Sequence, residues 1–294
     1  MSKKGTLIVT AALLLSNAMA GLDGTIVNTA LPSIINDLHA IQYMGWIVAV
    51  FLLGMAVATP LWSKLGERIG NRRTYGIATL LFAIGSIFQG ASSNIIFFLI
   101  ARTFMGIGAG GMNTIPFIIY ADLYTNSRKR AKVIGYATAS YSAAAIIGPL
   151  IGGWIVDVFN WHWVFYINVP IALISIICIQ FFFKEPKRIS TSQKIDYLGA
   201  GIMITSLVTL LTGIQMIETG SLSLTIILII VGLILLIVLF KVEEKAEDPI
   251  IPNRLFKNVP LVADFILFAL LWGAFIGFNI YVRSEERRVG KECP

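Results

Sequence analysis

The chain alternates long apolar runs with short polar breaks. Nine stretches, residues 7–31, 43–62, 75–91, 95–121, 133–156, 163–183, 198–217, 222–240 and 261–281, are dominated by apolar residues. Each is about 20 residues long, the length an α-helix needs to cross the hydrocarbon of a bilayer. Lipid offers the backbone no water to bond, so continuous segments of this length are predicted to be helices. The pattern predicts an all-α polytopic membrane protein.

One run breaks its own pattern. Residues 22–38, reading LDGTIVNTALPSIINDL, continue the first apolar stretch but carry Asp23 and Asn28. A charge inside a spanning segment costs a few kcal/mol, which marks Asp23 as a functional candidate. Lys3 and Lys4, the apolar residues after them and Ala18-Met19-Ala20 also have the outline of a secretory signal. Cleavage there would leave the apolar residues 22–35 outside the membrane, so the run is read as a first spanning helix.

Composition agrees with this class. Of 294 residues, 56% are hydrophobic and only 13% charged, too little charged surface for a soluble domain of this size. The net charge of +7 does not point to nucleic acid, because the basic residues cluster between the apolar segments. Lys3 and Lys4 precede the first; Lys64, Arg68, Arg72 and Arg73 follow the second; Arg128, Lys129, Arg130 and Lys132 follow the fourth. Lys184, Lys187, Arg188 and Lys194 follow the sixth, and Lys241, Lys245, Arg254 and Lys257 the eighth. The odd-numbered loops up to the seventh carry acids such as Asp37, Asp157 and Glu218 instead. This alternation predicts a multi-pass protein of the cell membrane with its amino terminus and even-numbered loops in the cytoplasm. Cys178 and Cys293, with His39 and His162, provide neither a disulfide framework nor metal-ligand spacing, so no metal or cofactor is expected. With no nucleophile–base pair either, a membrane enzyme is disfavoured.

The end of the chain departs from the alternation. Arg283, Arg287, Arg288 and Lys291 follow the ninth segment, on what should be the outer side. The run from Arg283 to Cys293 resembles, residue for residue, the translation of a common sequencing-library adapter, so residues 283–294 are set aside as a non-native tail. The chain is then expected to be a fragment that breaks off near the ninth helix.

Several motifs carry a family resemblance. Trp62 to Arg73, W-S-K-L-G-E-R-I-G-N-R-R, resembles the loop signature of the major facilitator superfamily, with Leu65, Glu67, Arg68, Gly70, Arg72 and Arg73 matching in kind. Ser63 and Asn71 depart from it. Leu22, Asp23, Thr25, Ile26, Val27, Asn28, Ala30, Leu31, Pro32 and Asp37 match the first-helix signature of that superfamily's fourteen-helix drug:proton antiporters. Arg102 to Gly111, R-x-x-x-G-x-G-A-G-G, resembles the family's membrane-embedded arginine motif. Gly148, Pro149, Gly152 and Gly153 resemble the antiporter motif, Ala144 standing where a glycine leads it. Trp161 to Pro170, W-H-W-V-F-Y-I-N-V-P, also fits the subfamily, with His162 in place of an arginine. The resemblance extends to about Val282. It implies a six-helix bundle over residues 1–189, an inserted helix pair over 190–241, entered at Asp196-Tyr197-Leu198-Gly199, and a loop with the first helix of a second bundle over 242–282. It also implies a cytoplasmic latch made of Glu67, Arg68, Gly70, Arg72 and Arg73, for which Asp122 is a local partner of Arg68 or Arg72.

Depth and angle refine the candidate sites. At 1.5 Å per residue, Asp23 lies about 27 Å along its helix and Arg102 about 30 Å along an oppositely directed one, measured from their cytoplasmic ends. Buried charges are usually paired, so these two are expected to interact, directly or across a small aqueous cavity. Asn17 and Asn28 share a face within about 20°, with Gly21 and Gly24 between them, while Asp23 points 120–140° away. Asn17, Asn28 and, on the fourth segment, Asn113 are therefore candidate cavity-lining residues, with interhelical hydrogen bonding as the other reading. Ala144, Gly148 and Gly152, spaced by four, form a smooth packing face, and Pro149 removes a backbone bond. In the family that face meets the second half, so it is expected to lie uncovered in this chain.

These readings predict a proton-coupled exporter of hydrophobic or cationic compounds, in which Asp23 exchanges its proton as alternating access changes its surroundings. Its partners are the bilayer, protons, small solutes and the missing carboxy-terminal half; this chain alone is not expected to transport. A same-fold transporter of another solute, such as a metabolite or siderophore, and a non-transporting membrane sensor remain as alternatives.

Overall fold

The computed structural model describes residues 2–186, 196–217, 221–244, 246, 249–250, 255, 257–271 and 274. Lys187, Arg188, Lys194, Glu218, Lys245, Arg254, most of residues 272–281 and the tail 283–294 lie outside them. The helices are α1 (Lys3–Asp37), α2 (Met44–Ile69), α3 (Asn71–Gly90), α4 (Ile95–Leu123), α5 (Ser127–Val158), α6 (Trp163–Tyr166), α7 (Asn168–Phe182), α8 (Tyr197–Gln215) and α9 (Leu222–Glu243). An apolar helix over Val259–Leu271 follows, and no strand occurs among the described residues. The first eight predicted segments each hold a helix, and seven spans in the described residues are long and apolar enough to cross a membrane.

The helices overrun the apolar windows because polar residues start and extend them. Ser2, Asn94, Asn126, Asp196 and Ser221 cap α1, α4, α5, α8 and α9, each side-chain oxygen accepting a bond from a first-turn backbone N–H. Lys64, Glu67 and Arg68 continue α2, so most of the expected loop is helix. The turn itself is Gly70, whose φ of 93° lies where a side chain would be strained. The sixth segment is broken at Ile167, because Pro170 has no N–H to offer the Tyr166 carbonyl four residues back. By contrast α5 runs on through Pro149.

The packing inverts that of a soluble protein. Leu7, Ile146, Leu150 and Phe181 are 70% exposed or more, as side chains bathed in lipid are. Asn71, Thr74, Thr79, Ser86, Gln89, Asn168 and Ser175 are fully buried. Only neighbouring helices can satisfy such groups in hydrocarbon, so the polar faces turn inward.

Small residues set how closely the helices approach. In α4, a Cβ on Gly106 or Gly110 would strike the α2 backbone at Phe51 or Met55, and one on Gly108 would strike α3 at Phe82 and Ala78. The glycine run after Arg102 thus lets α4 lie tightly between α2 and α3. On the other side of the bundle α1 packs along α5 and α7, while α8 and α9 pack together with α8 against α2. The structure corrects one expectation here. The Gly148–Gly152 face of α5 is buried against α1, Gly148 on Thr25 and Leu22 and Gly152 on Ile26 and Thr29. The small residues admit a helix of the same bundle, so this face is not left open.

A Cβ on Gly21 would strike the backbone carbonyl of Tyr141 in α5, whereas Gly135 has open space around it. Gly21→Ala is expected to destabilise the chain by about 1–3 kcal/mol through overpacking, and Gly135→Ala to be neutral or stabilising by about 0.5 kcal/mol. Thermal unfolding in detergent measures both; equal effects would mean that α1 and α5 are not in close contact.

Candidate functional site

Asp23 and Arg102 meet at the boundary between two apolar clusters. One contains Leu13, Met19, Phe82 and Met105; the other contains Ile26, Ile47, Phe98 and Phe165. The two charges are 1% and 3% exposed, and Arg102 Nη1 lies 3.5 Å from Asp23 Oδ2. Three further helices hold the pair. Arg102 Nε donates to the Ile47 carbonyl of α2 at 3.3 Å and Nη1 to Gln89 Oε1 of α3 at 3.5 Å. The guanidinium also lies over the Phe51 ring, 4.3 Å from its centroid, a favourable placement for a desolvated cation. Asp23 Oδ1 accepts from Asn168 Nδ2 at 3.2 Å. Asn168 Nδ2 also reaches Ser86 Oγ at 3.2 Å, and Ser86 donates to the Phe165 carbonyl at 2.7 Å.

The pair is loose for a charge-assisted contact, which normally closes to about 2.8 Å. Asp23 Oδ2 makes no hydrogen bond and neither does Asn168 Oδ1, although both are buried. Two buried acceptors that lack hydrogen bonds suit a group that changes protonation or takes up water.

Asn168, Ser86 and Gln89 were not singled out from the sequence. Asn168 belongs to the W-H-W-V-F-Y-I-N-V-P motif, and the helix break at Ile167 starts α7 at this residue. The same motif closes the bundle end opposite the basic loops. Trp161 Nε1 donates to Asp37 Oδ2 at 2.9 Å, and its ring meets Phe98 and Phe165 edge-on. His162 stacks on Trp161. Burial lowers the His162 pKa below the ordinary histidine value, against the opposing pull of Asp37.

The asparagines proposed as cavity residues have different surroundings. Asn17 is buried and donates to the Ala137 carbonyl of α5 at 2.6 Å. Asn28 is exposed and donates to Gly24 of its own helix at 3.4 Å. Asn113 lies 3.5 Å from Met55 Sδ. The structure does not gather them into one site, because α5 covers the α1 face at Asn17 and Gly21 but leaves Asn28 uncovered.

At the basic end, Asp122 accepts from Asn71 Nδ2 at 3.2 Å. Asn71, a residue that departs from the family signature, is thus one of the partners of Asp122. Arg72 Nε donates to Gln180 Oε1 at 3.1 Å, and Gln180 Nε2 returns a bond to the Arg72 carbonyl at 3.0 Å. Glu185 accepts from the Asn71 N–H and caps the start of α3. Glu67 pairs with Lys64 across one turn at 3.7 Å, the carboxylate more than half exposed, where such a pair contributes little. Arg72, Arg73, Gln180, Lys184 and Glu185 line an open cleft of about 540 Å³.

Spanning helices packed around a buried ion pair are the frame of a multi-pass membrane protein. Residues 13–286 match the family model of the Major Facilitator Superfamily, and the chain belongs to that family. It is 34% identical over 281 residues to the multidrug resistance protein 3 of Bacillus subtilis, covering 94% of this chain and 54% of that one. It is 35% identical over 269 residues to the multidrug transporter protein MdtP of the same organism, covering 88% and 49%. With the multidrug efflux pump SdrM of Staphylococcus aureus it shares 30% identity, covering 94% and 61%. The chain thus spans about half the length of these relatives. Among solved structures, a D-xylose-proton symporter aligns with a TM-score of 0.57 at 17% identity, over 80% of this chain and 68% of that one. The human organic anion transporter MFSD10 aligns with the same score and identity over 71% and 55%. At these identities the likeness is one of fold.

The geometry makes the ion pair one energetic unit. Arg102→Gln leaves Asp23 buried without its cation and is expected to destabilise the chain by about 3 kcal/mol or more. Adding Asp23→Asn should recover a large part of that loss. Additive losses in a detergent unfolding series would show the two charges to be uncoupled.

Proposed function

We propose that the transporter containing this chain exports hydrophobic or cationic compounds across the cell membrane in exchange for protons, with Asp23 as the proton carrier and Arg102 as its counter-charge. One observation carries the reading: a buried carboxylate ion-paired to a guanidinium at 3.5 Å, its paired oxygen making no hydrogen bond, in a chain related to multidrug transporters. A carboxylate beside a cation favours the charged form, and burial favours the neutral one. Alternating access changes both, so the proton is taken up on one side and released on the other. An unprotonated Asp23 is also a site for which a cationic compound competes.

The amino terminus and the Lys/Arg-rich loops face the cytoplasm in this reading, as the charge alternation supports. Helices α1–α7 serve as the first bundle and α8–α9 as the inserted pair, and substrate is held near the midplane against a second bundle. Asn28 and Asn113 are the amides available to substrate, since that of Asn17 is engaged by α5. Glu67, Arg68, Gly70, Arg72, Arg73, Asn71 and Asp122 form the cytoplasmic latch. Ala144, Gly148, Pro149, Gly152 and Gly153 seat α5 on α1 and so hold the Asp23 helix in register.

The test is transport by the full-length protein in sealed vesicles under an imposed proton gradient. Asp23→Asn is expected to abolish gradient-driven export while leaving substrate binding measurable. Export by that variant with unchanged proton dependence would overturn the reading.

A further inference from the structure

The ion pair is not the only buried polar layer in the bundle. Three helices that converge on it each repeat a polar residue seven positions away: Asp23 and Ser16 on α1, Ser86 and Thr79 on α3, Asn168 and Ser175 on α7. All six are buried. Seven residues is two helical turns, about 10 Å, so a second polar layer lies one such step from the first, toward the basic end. Tyr75 completes it. Its hydroxyl bonds to Ser175 Oγ, which also lies 3.0 Å from the Ala12 carbonyl, and Ser16 and Thr79 lie beside it.

The second layer is short of partners. Ser16 Oγ and Thr79 Oγ1 are buried and have no partner beyond the Tyr75 hydroxyl that they adjoin, and the Tyr120 hydroxyl, near Tyr75 and Tyr124, makes no hydrogen bond. With Asp23 Oδ2 and Asn168 Oδ1, these are most of the buried side-chain atoms that lack a full set of hydrogen bonds among the described residues, and they follow one seam. Tyr124 ends the series. It caps the end of α4 at the basic side of the bundle and lies 2.8 Å from Thr10 Oγ1. Orphaned hydroxyls converging in a polar pocket are the setting in which proteins hold ordered water, each molecule needing two to four polar partners.

We propose that this seam holds two buried hydration sites, one at Asp23 and Asn168 and one at Ser16, Thr79 and Tyr75, which relay protons between Asp23 and the basic end of the bundle through Tyr120 and Tyr124. The inference rests on the reading of Asp23 as proton carrier and assigns its route. On release, the Asp23 O–H bond breaks and its proton joins a lone pair of the first water. Each later oxygen accepts one proton and passes on another, so every water and hydroxyl keeps its composition and one proton emerges at Tyr124. Between the layers lie Met19, Phe82, Ala83 and Ala172, all buried. This apolar step interrupts the water chain until it wets, and so serves as the gate.

Infrared spectroscopy of this chain in lipid nanodiscs at acidic pH tests the route. The carboxylic-acid band that Asp23→Asn removes reports the Asp23 proton, and its shift after a switch to deuterated buffer gives the exchange rate. The Ser16→Ala/Thr79→Val double variant is expected to slow that exchange about tenfold or more, as a modestly raised barrier does. Thr79→Ser, which keeps the hydroxyl, should leave it unchanged. Tyr75→Phe keeps the ring packing and tests the same link if the double variant does not fold. Unaltered exchange in the folded hydroxyl-deletion variants overturns the route alone. Absence of any Asp23 acid band overturns the proton-carrier reading and the route with it.

Discussion

A carboxylate and a guanidinium are held deep inside a bundle of spanning helices, and much of the bundle can be understood as the means of tolerating them. Either charge alone in hydrocarbon costs several kcal/mol. Together at 3.5 Å they still need further partners, which come from α2, α3 and α7: the Ile47 carbonyl, Gln89 and Asn168. The pair therefore acts as a cross-brace, and α1 and α4 cannot slide past each other without exposing a charge to lipid.

The glycines answer the same constraint. Helices packed in lipid gain nothing from excluding water, so they depend on close contact and internal hydrogen bonds. Gly106, Gly108 and Gly110 bring α2 and α3 onto α4 just beyond Arg102, while Gly21, Gly148 and Gly152 bring α5 onto α1 around Asp23. In both places small residues lie within two turns or so of a charge, except Gly152, which continues the α5 contact further along. Tight seating limits the space beside the charges, and what remains is polar.

That economy of space gives the oxygens without hydrogen bonds their meaning. A bundle whose only requirement was stability would close Arg102 onto Asp23 Oδ2 and give Asn168 Oδ1 a donor, or replace them with apolar groups of the same shape. It does neither, and the same shortage recurs two turns away at Ser16 and Thr79. Polar atoms left short of hydrogen bonds in an otherwise close-packed membrane core are what the proposed proton movement would use.

Much of this architecture was legible in the residues alone. Apolar run length determined where eight helices lie, because hydrocarbon thickness sets helix length and lipid forbids other backbone forms. The cost of burying charge, with rise per residue, brought Asp23 and Arg102 to one depth before any contact was known. Which side chains complete the site was decided only by the tertiary structure. Asn168, Ser86 and Gln89 come from α3 and α7, and nothing in a one-dimensional pattern says which faces of three helices converge. Likewise Asn71 reaches Asp122, a contact that spacing had not offered, and α1 covered the glycine face expected to be open. Run length and charge act along the chain and can be read there. Pairing and coverage depend on the rotation of each helix about its axis, which packing against its neighbours alone determines.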